Sequence, residues 1–340
     1  MRILVTGGAG FIGKSLILKL LLSPENIIFN IDKLNYASDQ QPISDFCLNT
    51  KNKQYKLLEI DIANSLKTFE AVKLANPDII FHLAAESHVD KSISNPFNFI
   101  QSNIVGTYNL LSASLDFYKS LNQGRKKSFK FFHISTDEVF GTLGSKGHFK
   151  EDSRYDPRSP YSATKASSDH LVRAWYHTYS LPIIISNCSN NYGPWQFPEK
   201  LIPKIIYNGI KGKEIPIYGN GSNVRDWLFV EDHIDALILL SELGEIGETY
   251  CIGGNSEKTN NEVANEICQI LDKKFPSKRS HKQLIKYVED RAGHDKRYSI
   301  NFSKINSQYN WKPNYNFSEG LLQTVEWYIK NLSWIEKVLK

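Results

Sequence analysis

Short apolar runs alternate with longer stretches whose apolar positions recur every three or four residues, and the alternation carries through most of the chain. Ile3-Leu4-Val5-Thr6 predicts a strand, Leu16 to Leu22 a helix, Ile27 to Ile31 a second strand, Leu57 to Ile60 a third and Asp78 to Ala85 a fourth. A helix from about Pro96 to Lys119 precedes a buried strand, Phe129 to Ile134, and another helix spans Pro160 to Ser180. Leu181 to Ser186 reads as a strand, Ile234 to Leu243 as a helix and Thr249 to Ile252 as a strand. A helix opens at Asn260, and an amphipathic last helix, Ser318 to about Leu332, carries Trp327 and Tyr328 toward a core. Apolar strands alternating with helices predict an α/β fold with a parallel, doubly wound sheet.

The first strand runs straight into Gly7-Gly8-Ala9-Gly10-Phe11-Ile12-Gly13. Glycines at 7, 10 and 13, between strand and helix, form a dinucleotide fingerprint. They permit a tight turn and let a pyrophosphate approach backbone amides at a positive helix N-terminus. Asp32 ends the second strand about twenty residues further on, where a carboxylate accepts hydrogen bonds from the adenosine ribose and repels a 2′-phosphate. That favours NAD over NADP, although Lys33 next to it points either way. Asp61-Ile62, at the end of the third strand, offers an adenine contact, and the small residues of Leu83-Ala84-Ala85 allow a cofactor close to the backbone. His88 reads as a polar loop residue and Asn103 as structural. The fold expected is Rossmann-like, with a smaller, interleaved α/β substrate-binding lobe. Residues 1–189 plus about 227–255 form the NAD-binding domain, and about 190–226 plus 256–340 form the lobe.

Composition narrows the partners. The 340 residues are 41% hydrophobic and 23% charged with a formal net charge of +5, ordinary values for a soluble globular chain of two lobes. Basic residues are scattered, which argues against a nucleic-acid groove and leaves an anionic small molecule as a fitting substrate. The four cysteines are far apart, with no metal-binding or disulfide spacing, so no metal is expected. No apolar run approaches a membrane span and strand-like residues begin at Arg2, so the expectation is a cytoplasmic protein without membrane contact.

The chemistry gathers at His133-Ile134-Ser135-Thr136-Asp137-Glu138-Val139-Phe140-Gly141, where a buried strand ends in two hydroxyls and two carboxylates. Ligands bind beyond the carboxyl ends of strands in an open α/β sheet. Taken alone, two adjacent acids fit an ordinary loop or helix cap better than a catalytic pair. Tyr161 and Lys165 follow, four apart on one helical face. A phenol with a pKa of about 10 is a poor base at neutral pH. A neighbouring ammonium and a cationic nicotinamide both favour the phenolate.

With these motifs the chain resembles the extended short-chain dehydrogenase/reductases, and within them, through Thr136-Asp137-Glu138 and Val-Phe-Gly, the nucleotide-sugar 4,6-dehydratases that act on dTDP-glucose. The resemblance covers essentially the whole chain. It implies an NAD that stays bound, oxidation of the hexose at C4, loss of water across C5 and C6, and hydride return to C6. Tyr161 is then the acid/base, Lys165 its partner on the nicotinamide ribose, and Thr136 a ligand of the C4 oxygen. Glu138 is the base at C5 and Asp137 the acid at C6, a division that suits neighbouring carboxyls with split pKa values. It further implies cofactor contacts from Phe11, Ile12, Lys33, Leu34, Asn35, Ser87, Ser102 and Asn191, and substrate contacts from Ser87 and Asn190. Phe197 to Pro203 matches a substrate-lobe segment, giving Lys200 and Leu201. Pro216 and Tyr218 would border the base, where a ring can stack.

Arg225 and Arg291 suit the diphosphate because a guanidinium binds phosphate bidentately, although either could sit in a surface ion pair. Asn260, Asp290 and His294 complete the substrate set. Asn187 departs from the basic or hydroxyl residue expected there, and Ala292 stands where proline is usual. A homodimer through the helices holding Asn103 and Tyr161 is implied as well. A UDP-sugar dehydratase or 4-epimerase with the same Tyr161/Lys165 pair is the nearest alternative, although epimerisation needs no C5 base. An NAD-sensing binding protein without turnover is a distant one.

Overall fold

A computed structural model describes residues 1–339. Twelve strands are defined: β1 (Arg2–Thr6), β2 (Ile27–Asp32), β3 (Tyr55–Glu59), β4 (Ile79–His82), β5 (Lys130–Thr136), β6 (Ile183–Cys188), β7 (Asn190–Tyr192), β8 (Ile215–Tyr218), β9 (Val224–Phe229), β10 (Thr249–Ile252), β11 (Glu257–Thr259) and β12 (Ile285–Val288). Seven form one sheet in the order β10-β6-β5-β4-β1-β2-β3, parallel from β5 through β3. The order reverses beside β1, the arrangement of a doubly wound Rossmann-like sheet.

The chain divides into two compact units. The first comprises Met1–Val139, Tyr155–Asn187 and Ile234–Tyr250. Strands β4 and β6 are buried along their whole length and β1, β2 and β5 apart from end residues, while β3 at the sheet edge is only half-covered. Leu4, Ile31, Ile80, Phe131, Ile183 and Ile185 pack with Leu110, Leu111, Phe117 and Val172 from flanking helices. Strands covered on both faces need no alternation, which is why they read as continuous apolar runs.

The second unit comprises Phe140–Arg154, Cys188–His233 and Cys251–Lys340. Its core joins Ile202, Ile205 and Ile206 of the Leu201–Ile210 helix to Val263, Ile267 and Leu271 of the Asn260–Lys274 helix and to Leu321, Val325 and Tyr328 near the C-terminus. Two small sheets belong to it, β11-β9-β7 and β12-β8. Phe140–Arg154 lies in this unit rather than with the residues around it in sequence, because Phe149 and Leu143 donate to Ser299 O (2.8 Å) and Arg297 O (2.9 Å).

Four boundaries differ from the sequence pattern in ways that bear on the site. The first helix begins at Phe11, not Leu16, with Gly10 as its N-cap. Strand β5 continues through Ser135 and Thr136 before a 3-10 turn, Asp137–Phe140, takes over. The stretch read as one helix from Pro96 contains a π segment, Ile100–Val105, between Pro96–Phe99 and Gly106–Ser120. The helix expected from Ile234 starts at Val230.

Candidate active site

The nucleotide end of the first unit is built on close backbone approach. Gly7 has φ +72°, and a Cβ there would stand 2.7 Å from Ala84 Cα, so the turn after β1 and the Leu83-Ala84-Ala85 segment tolerate no side chain between them. At Gly13 a Cβ would meet Gly7 O at 2.3 Å. Gly10 is different: its Cβ would approach only Gly7 O, at 3.2 Å, and the first turn behind it, with Phe11 and Ile12, has no side-chain cap. That leaves an open cradle of amides at a helix N-terminus, which fits a pyrophosphate.

Asp32 is buried at the end of β2 and accepts from Ala9 N, Leu34 N and Ser38 Oγ, each at 2.9 Å. Lys33 beside it is bonded to Glu86 at 2.7 Å and to Ser102 Oγ at 3.0 Å, and Asn35 Nδ2 reaches the same Glu86 oxygen. The ammonium is therefore already matched by a carboxylate. Asp61 is exposed and accepts from Ala63 N, while the Ile62 side chain is committed to the core. Ser87 is exposed, and Ser102 is buried in the π segment.

The chemical end lies where β5 stops. Thr136 Oγ1 accepts from Glu138 N (3.3 Å) and bonds Asp137 Oδ1 (3.3 Å), so the hydroxyl caps the turn that carries both acids. Asp137 is buried and Glu138 half-buried. Tyr161 is the second residue of the Pro160–Tyr179 helix. The start of that helix is fixed by Pro160 and by a capping box in which Ser159 and Ser162 exchange side-chain and backbone bonds. The Tyr161 ring stands edge-on to Phe99, and Lys165 donates to Ile134 O at 3.0 Å. Tyr161, Lys165 and the strand end are thus brought together in one unit. Asn103 takes the structural part expected of it: it bonds both Glu86 N (2.8 Å) and Glu86 O (3.0 Å), and Thr164 Oγ1 (2.9 Å).

A buried polar network stands behind these residues, and most of it was not singled out from the sequence. Asp169 is wholly enclosed and accepts from His133 Nε2 (3.0 Å), Tyr155 OH (2.7 Å) and Asn187 Nδ2 (3.1 Å). Burial works to raise its carboxyl, but the bond and charge of His133, with Lys165 and Ser135, bring it down to about 2. Burial, then the Lys165 ammonium, lowers His133 to about 4 despite Asp169. Near neutral pH the pair is therefore a neutral imidazole donating to a carboxylate. His82 is likewise held neutral by burial, between Thr6 and Thr107. The spacing did contain a signal, since Asp169 lies four residues beyond Lys165 and eight beyond Tyr161, on the same helical face.

In the second unit Tyr218 on β8, Asp290 and His294 come together. His294 Nδ1 is 2.6 Å from Asp290 Oδ1 and its ring is edge-on to Tyr218, which follows Pro216 by two residues on β8. Burial lowers His294, and the charges of Arg291 and Arg225 add to this, which places both guanidinium groups near it. Arg225 is not in a surface ion pair: it is buried, stacked over Tyr298 at 4.3 Å, and donates to Val224 O and Asp295 O. Asn190, paired with Trp227 across β7 and β9, keeps a buried Oδ1 without a hydrogen-bond partner among the described residues. Asn191 Oδ1 meets His233 Nδ1 at 2.8 Å. Lys200 caps the helix that begins at Leu201, and Asn260 is buried at the first turn of its own helix. Among the described residues no group of three or more His, Cys, Asp or Glu is arranged to hold a metal, and no helix is long and apolar enough to cross a membrane.

Known proteins bear on this arrangement directly. The family model described as GDP-mannose 4,6 dehydratase matches residues 4–324. A dTDP-glucose 4,6-dehydratase of Shigella flexneri is 48% identical, with 99% of this chain and 95% of that protein covered. The crystal structure of dTDP-glucose 4,6-dehydratase from Bacillus anthracis, in complex with NAD, is 40% identical with a TM-score of 0.87, covering 99% of both chains. That of the Streptomyces venezuelae enzyme of the same name, also with NAD bound, is 36% identical with a TM-score of 0.90, covering 99% of this chain and 100% of that one. The chain belongs to this family of nucleotide-sugar 4,6-dehydratases, together with the dTDP-glucose 4,6-dehydratases that it matches from end to end.

Proposed function

We propose that the chain is a hydro-lyase that converts dTDP-glucose to dTDP-4-dehydro-6-deoxy-glucose with a tightly held NAD. The observation that carries this is the pair Asp137 and Glu138 on the turn directly after β5, with Lys165 of the Tyr161 helix bonded to the same strand. Oxidation alone has no use for two acids there. Bound NAD supplies oxidation at C4 and the matching reduction at C6, with no net redox change. The residues that would hold it are Gly7, Gly10, Phe11, Ile12, Gly13, Asp32 to Asn35, Asp61, Ile62, Leu83 to Ala85, Ser87, Ser102, Tyr161, Lys165 and Asn191.

Tyr161 takes the proton from the C4 hydroxyl, and the Lys165 ammonium favours its phenolate. Thr136 hydrogen-bonds the C4 oxygen. The C4 ketone makes the C5 proton acidic; Glu138 removes it, and Asp137 protonates the departing C6 hydroxyl. Arg225, Arg291, Asp290, His294, Tyr218, Pro216, Asn190, Lys200, Leu201 and Asn260 recognise the nucleoside diphosphate. In this reading residues 1–189 plus about 227–255 serve NAD and the remainder the nucleotide sugar. The four cysteines, all free, support a reducing compartment, the cytoplasm. Exposed Phe97, Ile100, Tyr108 and Tyr179, on or beside the two long helices, support a homodimer.

Purified protein incubated with dTDP-glucose and no added reductant is expected to yield the 4-keto-6-deoxy sugar, with deuterium at C5 when the solvent is heavy water. Appearance of a galactose nucleotide without keto sugar would overturn the reading, and faster turnover of UDP-glucose or GDP-mannose would move the substrate. Tyr161→Phe should lower turnover by about 10²–10⁴-fold, the range for one positioned acid/base. Glu138→Gln should still reduce bound NAD but stall before water loss.

A further inference from the structure

Asn187 stands where a basic or hydroxyl side chain was expected, and its surroundings give it a different task. It is fully buried near the end of β6, and its Nδ2 donates to Thr136 O (3.1 Å) and to Asp169 Oδ2 (3.1 Å). Both partners are pure acceptors, so only the amino end of the amide can face them. Its Oδ1 has no hydrogen-bond partner among the described residues. Thr136 O belongs to the peptide that joins Thr136 to Asp137, where strand β5 gives way to the 3-10 turn. The tilt of that peptide sets the direction in which the turn leaves the strand.

Asp169 is itself immobilised by His133 and Tyr155, and Tyr155 by Arg173, so the anchor is rigid. We propose that Asn187 is a positioning residue for water elimination, clamping the Thr136–Asp137 peptide to the Asp169 carboxylate and so fixing where Asp137 and Glu138 stand. The inference rests on the assignment of those two acids to the elimination. Tyr161 and Lys165 are held by other means: the Ser159 cap, the Asn103–Thr164 contact and the Lys165 bond to Ile134 O, two residues earlier on β5. Thr136 itself is the last residue of strand β5 and is held by the sheet, so oxidation at C4 should outlast the loss of the clamp far better than elimination does.

The test compares Asn187→Leu, close in volume but without a donor, Asn187→Ser, which keeps one short donor, and Glu138→Gln. Each is the full-length protein with its bound NAD, mixed with dTDP-glucose. Nicotinamide absorbance, keto-sugar release, deuterium entry at C5 and thermal unfolding are followed. Asn187→Leu is expected to reduce bound NAD at a rate within a few-fold of the parent. Keto sugar should form about 10²-fold more slowly, the penalty for a catalytic group displaced by about 1 Å. Reduced nicotinamide should accumulate, C5 exchange should slow in step, and Asn187→Ser should recover part of the loss. Nicotinamide reduction falling as far as product formation would overturn the proposal, since a merely structural residue would slow both. If Asn187→Leu does not fold, Asn187→Ser carries the same comparison. Full turnover by Glu138→Gln would refute the role of the acid itself, an outcome seen independently of either Asn187 variant.

Discussion

Asp32 illustrates how one carboxylate serves two purposes. Its oxygens organise the loop by accepting from Ala9, Leu34 and Ser38, and in the proposed reading its charge also meets the adenosine ribose. Lys33 is drawn aside to Glu86. Replacing Asp32 with Asn keeps an acceptor and removes the charge. A hydrogen bond to a charged group is worth about 1.5–3 kcal/mol, so NAD affinity should fall roughly tenfold or more while NADP loses less. Titration of the variant with both dinucleotides would show the preference narrowing; an unchanged ratio would remove Asp32 from coenzyme selection. The fingerprint glycines, Asp32, the acids and the Tyr161/Lys165 pair, on which the proposed function rests, could all be singled out in the sequence, because each is a residue type at a fixed distance from a strand end. Glu86, His133 and Asp169 were not. Their significance lies in partners 14 to 53 residues away in the chain, such as Tyr155 with Asp169 and Lys33 with Glu86, which no local pattern announces.

Among the elements, the Pro160–Tyr179 helix bears most on the proposed mechanism, since Tyr161 sits in its first turn and depends on how that turn begins. Ser159→Ala should cost about 1 kcal/mol of stability, as for other lost caps, and should lower turnover more than NAD affinity because it frees the turn that holds Tyr161. Chemical denaturation and steady-state kinetics read the two effects, and a stability loss with unchanged turnover would show that the cap does not govern Tyr161. The order of the seven strands of the large sheet was readable, since buried parallel strands leave strong marks, but β7, β8, β9, β11 and β12 and the helices Gln41–Thr50, Ser65–Ala75 and Leu201–Ile210 were not. The π segment and the 3-10 turn were not. Asn103 in the first is tied to Glu86 and Thr164, and Thr136 caps the second, so tertiary bonds rather than local propensity shape both. The 140–154 segment likewise joins the second unit through backbone bonds to residues about 150 positions later.

At the scale of the molecule, buried neutral histidines make stability depend on pH. In the unfolded chain His133 and His233 take up a proton near 6.5; in the folded chain burial defers this to about 4 and about 3. Between these values the unfolded state binds more protons, so stability falls as pH falls, by roughly 2 kcal/mol for each histidine between pH 7 and 5. Asp226, pushed up to about 6 by burial, works the other way and offsets about 1 kcal/mol, since the folded state holds its proton first. Urea unfolding at pH 7 and 5 should show the net loss, and equal midpoints would mean that these histidines are charged in the folded protein.

Strand order also sets a timetable for synthesis. β1 to β5 are contiguous in the sheet and can assemble as the first 136 residues emerge, but the outer edge of β5 waits for β6, which begins at Ile183. At about 5–20 residues per second on the ribosome, that interval is roughly 2–9 s. During it the Lys130–Thr136 strand, with Phe131 and Phe132 in it, is an open apolar edge of the kind that recruits other chains. The strand that leads into Asp137 and Glu138 is thus also one that a nascent chain must shield, and Asn187 arrives on the strand that closes it.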